Sequence, residues 1–115
     1  MAQSYEDLEV WRRSRILAVE VLRAFRDCRD YGLRDQITRA AVSVPSNVAE
    51  GAERNGVAEF HQFLGYSKGS RAELRTQLVI ASDLDYLSSD LADRLLDEAS
   101  QLSRMLYRLS ESLKT

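Results

Sequence analysis

Apolar residues recur along the chain with the three-to-four-residue period of an amphipathic helix, in four separate blocks. No alternating apolar and polar pattern of useful length, as expected for a strand, lies between them. The blocks cover about residues 5–28, 33–54, 57–84 and 89–113. The pattern therefore predicts four helices and an all-α fold.

Each block has one apolar face when its residues are placed at steps of about 100°. In the first block, this face consists of Val10, Trp11, Leu17, Ala18, Val21, Leu22 and Phe25. In the fourth block, Glu98 falls within the apolar stripe. Because a buried carboxylate is costly, we expect Glu98 to reach solvent or to have a partner.

Short polar turns separate the blocks, with the sequences "RDYG", "RNG" and "DYLSSD". Gly32 is suited to a left-handed cap at the end of the first helix. Ser88 or Ser89 is suited to capping the start of the fourth. Connections this short place successive helices side by side and antiparallel. We predict an antiparallel up-down-up-down four-helix bundle that forms a single domain over residues 1–115.

The stretch "SVPSNVAEGAER", residues 43–54, contains the only proline of the chain. Val44 and Val48 nevertheless keep the helical phase of the apolar residues before them. A loop has no reason to keep this phase, so we predict a second helix that continues through Pro45 with a kink. The alternative is two helices, with Pro45 at the first position of the second.

A polar stripe lies beside the apolar face of the second helix, and a similar one lies on the third. The two stripes contain Gln36, Ser43, Asn47, Glu50 and Arg54, and Glu59, Tyr66, Ser70, Glu73 and Gln77. For a turn near residues 55–57, antiparallel partners have numbers that sum to about 113. This register pairs Arg54 with Glu59, Asn47 with Tyr66, Ser43 with Ser70, and Gln36 with Gln77.

The polar stripes, with Arg39 added from the second helix, predict a seam that fixes helix register or forms a subunit contact. Acid–base chemistry by Glu50, Glu73 and His61 is the alternative. His61 projects from a different face of its helix, and the sequence contains no nucleophile–base set, phosphate-binding glycine loop or metal-binding spacing. We therefore expect no enzyme activity, no cofactor, no metal and no small-molecule substrate.

Charge adds a second candidate surface. The net charge is −2, yet 14 of the 16 basic residues are arginine. One stripe of the first helix carries Arg12, Arg15, Arg23 and Arg26, interrupted by Ile16 and Val19, and the third helix adds Lys68 and Arg75. These residues are candidates for contacting nucleic-acid phosphates. The alternative is that the arginines form ordinary surface ion pairs.

The segments "DQITRAAVSVPSNVAEG" and "EFHQFLGYSKGSRAELRTQLVIASDLDYL", with "YEDLEVW" near the start, resemble the family of the 23S rRNA intervening-sequence protein, or S23 family. That family is related to the accessory variability protein of diversity-generating retroelements. The resemblance implies a homopentameric barrel of four-helix bundles and, in the retroelement branch, association with nucleic acid and a reverse transcriptase. The motif residues are Arg39, Asn47, Glu50, Gly51, Arg54, Gly69, Ser70, Glu73 and Leu74, none of them catalytic.

The sequence and the resemblance together predict a non-enzymatic, oligomeric accessory or assembly protein that contacts RNA or an RNA–protein complex. The alternative is a scaffold or protein-binding module without nucleic-acid contact. Expected partners are other copies of the chain, most simply in a pentamer, and RNA or a reverse transcriptase-like protein. With a single cysteine and no apolar run of about 20 residues, we expect a cytoplasmic protein that does not enter membranes.

Overall fold

A computed structural model describes residues 4–114 of the chain. A short 3-10 turn at Tyr5–Asp7 precedes the four helices, and no strand occurs within this range. The helices are α1 (Glu9–Ala24), α2 (Tyr31–Ala52), α3 (Val57–Asp83) and α4 (Ser89–Ser112). The prediction of an all-α, antiparallel up-down-up-down four-helix bundle is confirmed.

The connections between the helices are residues 25–30, 53–56 and 84–88. Each helix contacts its neighbours in sequence, and α1 also contacts α4, which closes the bundle. The molecule measures 45 × 21 × 21 Å, so its long axis is set by α3, whose 27 residues span about 40 Å. Because each helix packs against two neighbours, each helix has one outer face.

All four helices contribute to one apolar core. The largest side chains that are fully buried include Leu17, Phe25, Ile37, Leu64, Leu74, Leu78, Leu95, Leu102 and Leu106. The inclusion of Leu22 in the core face was wrong, because this side chain is 41% exposed. The buried face of α1 centres instead on Ser14, Leu17 and Val21. A residue next to Val21 points about 100° away from that face.

Three helix ends differ from the sequence prediction. α1 begins at Glu9, after the 3-10 turn, and not at residue 5. It ends at Ala24, and Gly32 does not cap it but lies in the first turn of α2. The carboxylate of Asp30 accepts a hydrogen bond from the Leu33 N–H at 3.2 Å, so α2 starts earlier than expected. The prediction for α4 is confirmed, since the Ser88 hydroxyl accepts from the Leu91 N–H at 3.2 Å.

α2 runs without interruption through Pro45, which is buried. The prediction of one continuous helix is confirmed, and the alternative of two helices is wrong. Proline has no N–H, so the carbonyl of Ala41 loses its usual partner. The kink stays a prediction. Burial of Pro45 and of Val44 and Val48 on the same face outweighs the lost hydrogen bond.

Two small residues allow α2 and α3 to approach closely. A Cβ atom at Gly51 would lie 2.7 Å from the Phe63 Cβ and 3.1 Å from the Phe60 ring. Near the middle of the pair, the buried Ser67 hydroxyl donates to the Val44 carbonyl at 2.8 Å. These contacts fix the distance between α2 and α3 and therefore the position of the polar side chains beside them.

Candidate nucleic-acid interface

Arg12, Arg15 and Arg23 are exposed on the outer face of α1, whereas Arg26, which is also exposed, lies in the connection after α1 and not in the helix as predicted. The Arg12 guanidinium donates to the Glu6 carbonyl at 3.2 Å, and that of Arg15 lies 5.2 Å from the centre of the Trp11 ring. Within residues 4–114, no carboxylate oxygen lies within 4.0 Å of these guanidinium groups. The alternative of ordinary ion pairs therefore does not hold for this α1 stripe, which consists of Arg12, Arg15, Arg23 and Arg26.

Other bases of the protein do form ion pairs. Arg94 of α4 pairs with Glu20 of α1. Further pairs involve Arg13, Arg34, Arg54 and Lys114. Within residues 4–114, five of the 16 basic residues are thus ion-paired, and the four arginines of the α1 stripe are not among them.

Apolar side chains interrupt the α1 stripe. Ile16 is 50% exposed and Val19 is 42% exposed, as the sequence led us to expect, and Leu22 joins them. Leu22 also lines a shallow groove of about 450 Å³ together with Val42 and Arg39 of α2. Arg39 was assigned to the seam between α2 and α3, but the structure places it in the groove between α1 and α2. The outer face is therefore a mixed arginine and apolar surface.

Lys68 and Arg75 lie on a different side of the bundle, at the boundary between α3 and α4. The Lys68 ammonium lies 5.7 Å from the centre of the Tyr107 ring, and the Arg75 Nε donates to the Ser100 hydroxyl at 3.0 Å. Arg71 lies between them and donates to the Ala99 carbonyl at 3.4 Å. Sequence reasoning missed Arg71, although its spacing from Lys68 and Arg75 puts all three on one side of α3.

The seam between α2 and α3 is formed in part. At its turn end, Arg54 bonds to Glu50 at 2.7 Å and lies 4.0 Å from Glu59. The Arg54 guanidinium also stacks 4.9 Å from the centre of the Phe63 ring. The structure therefore brings together the predicted residues nearest the turn.

The predicted pairing of Asn47 with Tyr66 is not found. The half-buried Asn47 amide donates to the Ser43 carbonyl of its own helix at 2.9 Å. The Tyr66 ring is 49% exposed, and its hydroxyl accepts from Gln62 at 2.9 Å. The physical reason is the close approach of α2 and α3, where the small Ser67 fits the interface and a tyrosine ring does not.

The remaining polar residues of the two stripes do not converge on one site. Ser43 and Ser70 are half-buried, and no hydrogen bond joins their side chains within the described chain. Gln77 is buried and its Oε1 has no hydrogen-bond partner there, while Gln36 is exposed, so their predicted pairing is not found either.

The candidate acid–base residues are also apart. Glu50 is bound to Arg54, and Glu73 and His61 are exposed. Over residues 4–114, no group of three or more histidine, cysteine or acidic side chains is arranged to hold a metal ion. In the same range, no helix is long and apolar enough to cross a membrane.

Glu98 has a specific partner. Arg13 of α1 donates to both Glu98 carboxylate oxygens at 2.9 Å, and also to the Gln101 side chain. The hydrogen bond with Glu98 raises the pKa of Arg13. The carboxylate in the apolar stripe of α4 thus ties this helix to α1, and Arg13 is the partner that sequence reasoning missed.

Four antiparallel helices with an unpaired arginine stripe define a small basic-faced helical-bundle protein. The family model described as the 23S rRNA-intervening sequence protein matches residues 6–108, and the chain belongs to this family. The crystal structure of a protein of unknown function from the S23 ribosomal protein family of Bacteroides thetaiotaomicron VPI-5482 has a TM-score of 0.82 and 17% sequence identity to it.

The superposition with the Bacteroides protein covers 92% of this chain and 99% of that chain. At this level of identity, the likeness shows the fold alone. Comparison with curated proteins finds no match. Neither the description of the family nor that of the Bacteroides protein names a catalytic activity.

Proposed function

We propose that the protein is a non-enzymatic, oligomeric accessory protein that contacts structured RNA, or an RNA–protein complex, through the phosphate backbone. The observation that carries the proposal is the α1 stripe, whose four exposed arginines have no carboxylate within 4.0 Å in the described chain. The family description, which refers to the 23S rRNA intervening sequence, supports RNA as the ligand.

Arginine suits this role because its planar guanidinium donates two parallel hydrogen bonds to a phosphate group. From Arg12 to Arg26, the stripe extends over about 21 Å of helix and its continuation. No unoccupied aromatic ring lies on it, because Trp11 is packed against Arg15 and Tyr5. The contact is therefore made with phosphates, and bases are not read.

Oligomerisation strengthens such a contact. A single chain has a net charge of −2, and its exposed acidic residues include Asp90, Asp93 and Asp97 of α4. In a closed ring, the α1 stripe would recur in each subunit, and several weak contacts would act together on one RNA. We propose a homopentamer, the assembly that the family resemblance implies.

A scaffold without nucleic-acid contact is the second candidate function. It is favoured by one specific observation, the exposure of Ile16, Val19 and Leu22 among the arginines. Exposed apolar side chains in a row suit a protein partner better than a phosphate backbone. Such a partner would be a protein of the reverse transcriptase kind, or another copy of the chain.

A filter-binding assay, in which the protein retains a structured RNA on a filter, tests the proposal. The wild type retains RNA at about 50 mM salt and loses it at about 200 mM. Changing Arg12→Glu together with Arg23→Glu abolishes retention, while Arg104→Glu with Arg108→Glu, the same charge change on α4, leaves most of it. Failure of the wild type to retain RNA at low salt supports the scaffold. Equal retention by both double variants places the contact away from the α1 stripe.

A further inference from the structure

A second positive surface lies at the boundary between α3 and α4. Lys68, Arg71 and Arg75 project from one side of α3, at spacings of three and four residues. On the α4 side they meet the Tyr107 ring, the Ala99 carbonyl and the Ser100 hydroxyl. These six residues define the α3–α4 groove.

Arg71 is the unusual member of the α3–α4 groove. It is half-buried, and its hydrogen bond in the described structure is a long one, 3.4 Å, to a neutral carbonyl. Burial, and to a lesser extent the nearby charge of Arg75, lower the pKa of Arg71, but an arginine stays protonated at neutral pH. A partly desolvated cation beside a like charge destabilises the fold unless an anion is supplied.

Within residues 4–114, no carboxylate oxygen lies within 4.0 Å of the cationic groups of Lys68, Arg71 and Arg75. Glu111 is close enough to interact with Lys68 and with the Tyr107 hydroxyl, but it is bonded to Lys114 at 2.6 Å. Asp97 accepts a hydrogen bond from Gln101 at 2.7 Å. The α3–α4 groove therefore carries more positive than negative charge.

The surroundings of the groove indicate the shape of the ligand. The Tyr107 ring is 58% exposed, so one of its faces is free for a planar group. A Cβ atom at Gly65 or Gly69 would have no neighbour within 4 Å, so the surface beside the cations is open. Between Lys68 and Arg75, α3 rises about 10 Å, which is enough for more than one phosphate. An open groove with cations along it and an aromatic ring suits a single strand of nucleic acid.

We propose that the α3–α4 groove binds the sugar–phosphate backbone of an unpaired RNA strand. Lys68, Arg71 and Arg75 contact its phosphates, and Tyr107 stacks on one base. The inference rests on the proposed contact with RNA, but it uses a different side of the bundle from the α1 stripe. The α1 stripe then holds structured RNA, while the groove holds a single-stranded segment next to it.

Fluorescence anisotropy with a labelled single-stranded RNA of about a dozen nucleotides tests the groove. Lys68→Gln with Arg75→Gln weakens binding at least ten-fold. The matched control, Arg29→Gln with Arg39→Gln, removes the same charge from two exposed positions outside both the groove and the α1 stripe, and changes affinity less than three-fold. Unchanged affinity in the groove variant overturns the inference.

Replacement of Arg71 separates a ligand-binding role from a structural one. Arg71→Met keeps the length of the aliphatic stem but removes the partly buried charge. We expect the melting temperature to stay constant or rise while binding of the single strand falls at least five-fold. A lower melting temperature with unchanged binding shows that Arg71 only supports packing, and it overturns the inference.

Binding of inorganic polyphosphate tests whether the groove recognises RNA or any chain of phosphates. Tyr107→Ala weakens binding of the RNA strand several-fold but leaves binding of polyphosphate unchanged. A wild type that binds polyphosphate and not the RNA strand refutes the assignment of the ligand. If structured RNA is not retained by the α1 stripe while the single strand binds in the groove, the proposed function is wrong and the groove stands. If structured RNA is retained and the single strand does not bind, only the proposal for the groove is overturned.

Discussion

Gly51 sets the distance between α2 and α3. The Phe63 Cβ would be 2.7 Å from a Cβ atom at this position, and the Phe60 carbonyl oxygen would be 3.3 Å away. Both neighbours belong to α3 and cannot move without displacing the helix. Gly69 is different, because an added Cβ there meets nothing within 4 Å. The two glycines therefore give opposite expectations for the same substitution.

We predict that Gly51→Ala lowers the free energy of unfolding by about 1–3 kcal/mol, because the new methyl group forces the helices apart. Gly69→Ala raises it by about 0.5–1 kcal/mol, because alanine restricts the unfolded chain and favours a helix. Urea denaturation of both variants measures the difference. Stabilisation of similar size in both would show that α2 and α3 do not pack as closely as described.

Arg13 and Glu98 form a bidentate ion pair between α1 and α4. Their two hydrogen bonds of 2.9 Å are parallel, and both side chains are less than one-third exposed. A double-mutant cycle with Arg13→Ala and Glu98→Ala isolates the coupling energy, which we predict to be about 1–2 kcal/mol. A coupling near zero would mean that the pair behaves as an ordinary surface ion pair.

Which side chain partners which was the hardest feature of single residues to predict from the sequence. Glu98 was recognisable as unusual from its place in an apolar stripe, but nothing in the sequence pointed to Arg13. Which two side chains meet across a helix pair depends on the rotation of each helix, and a rotation of a few tens of degrees exchanges neighbours. Leu22 shows the same limit, since it lies at the edge of the apolar face.

The helical elements are tied together at the end of the bundle that carries the α1–α2 and α3–α4 connections. The Tyr86 hydroxyl donates to the Asp30 carboxylate at 2.9 Å, and the other oxygen of Asp30 caps α2. This hydrogen bond raises the pKa of Tyr86 above its ordinary value of 10.0. One carboxylate thus joins a helix start to the turn between two other helices.

The raised pKa of Tyr86 determines the direction in which the stability of the fold changes with pH. The neutral phenol of Tyr86 contributes stability that is fully present below pH 10.0 and is lost as the pH rises through its folded-state pKa. Tyr86→Phe is therefore less stable than the wild type at neutral pH, and the difference shrinks at about pH 11. Chemical denaturation at both pH values measures this, and a difference that stays constant would contradict the hydrogen-bond explanation.

The elements themselves were largely predictable. Four helices follow from periodicity, and the phase of Val44 and Val48 identified a helix that passes through Pro45. The start of α2 was not predicted, because the competition between capping by Asp30 and a turn at Gly32 is decided by a single hydrogen bond. The register of the polar seam is close to the prediction, since Arg54 meets Glu59 and Gly51 meets Phe63. Which side chains meet farther from the turn was not predicted, because it depends on the fit of Gly51 and Ser67 against the opposite helix.

Across the whole molecule, basic and acidic residues are unevenly distributed. The α1 stripe and the α3–α4 groove carry unpaired bases, whereas Asp90, Asp93 and Asp97 make the first half of α4 acidic. A small net charge therefore coexists with strong local fields. Net charge alone could not have located either basic surface. The partial burial of Arg71 became visible only in the structure.

We predict that light scattering at micromolar concentration gives about five times the chain mass of 13.1 kDa. The family resemblance implies five subunits, and heterologous contacts that close into a ring would hold them together. Arg104→Glu with Arg108→Glu should leave the mass unchanged if the ring does not use the outer face of α4. A mass of one chain would refute the assembly, and a stable dimer would keep the bundle but exclude the ring.

The salt dependence of RNA binding tests the central claim most directly. Each phosphate contact contributes about 0.7–0.9 to the slope of log K against log salt concentration. For the wild type we predict a steep linear loss of affinity. Arg12→Gln with Arg23→Gln should reduce the magnitude of that slope by at least about 1.4, because two contacts are removed. A wild-type slope near zero, or the same slope in the double variant, would contradict a phosphate contact through α1.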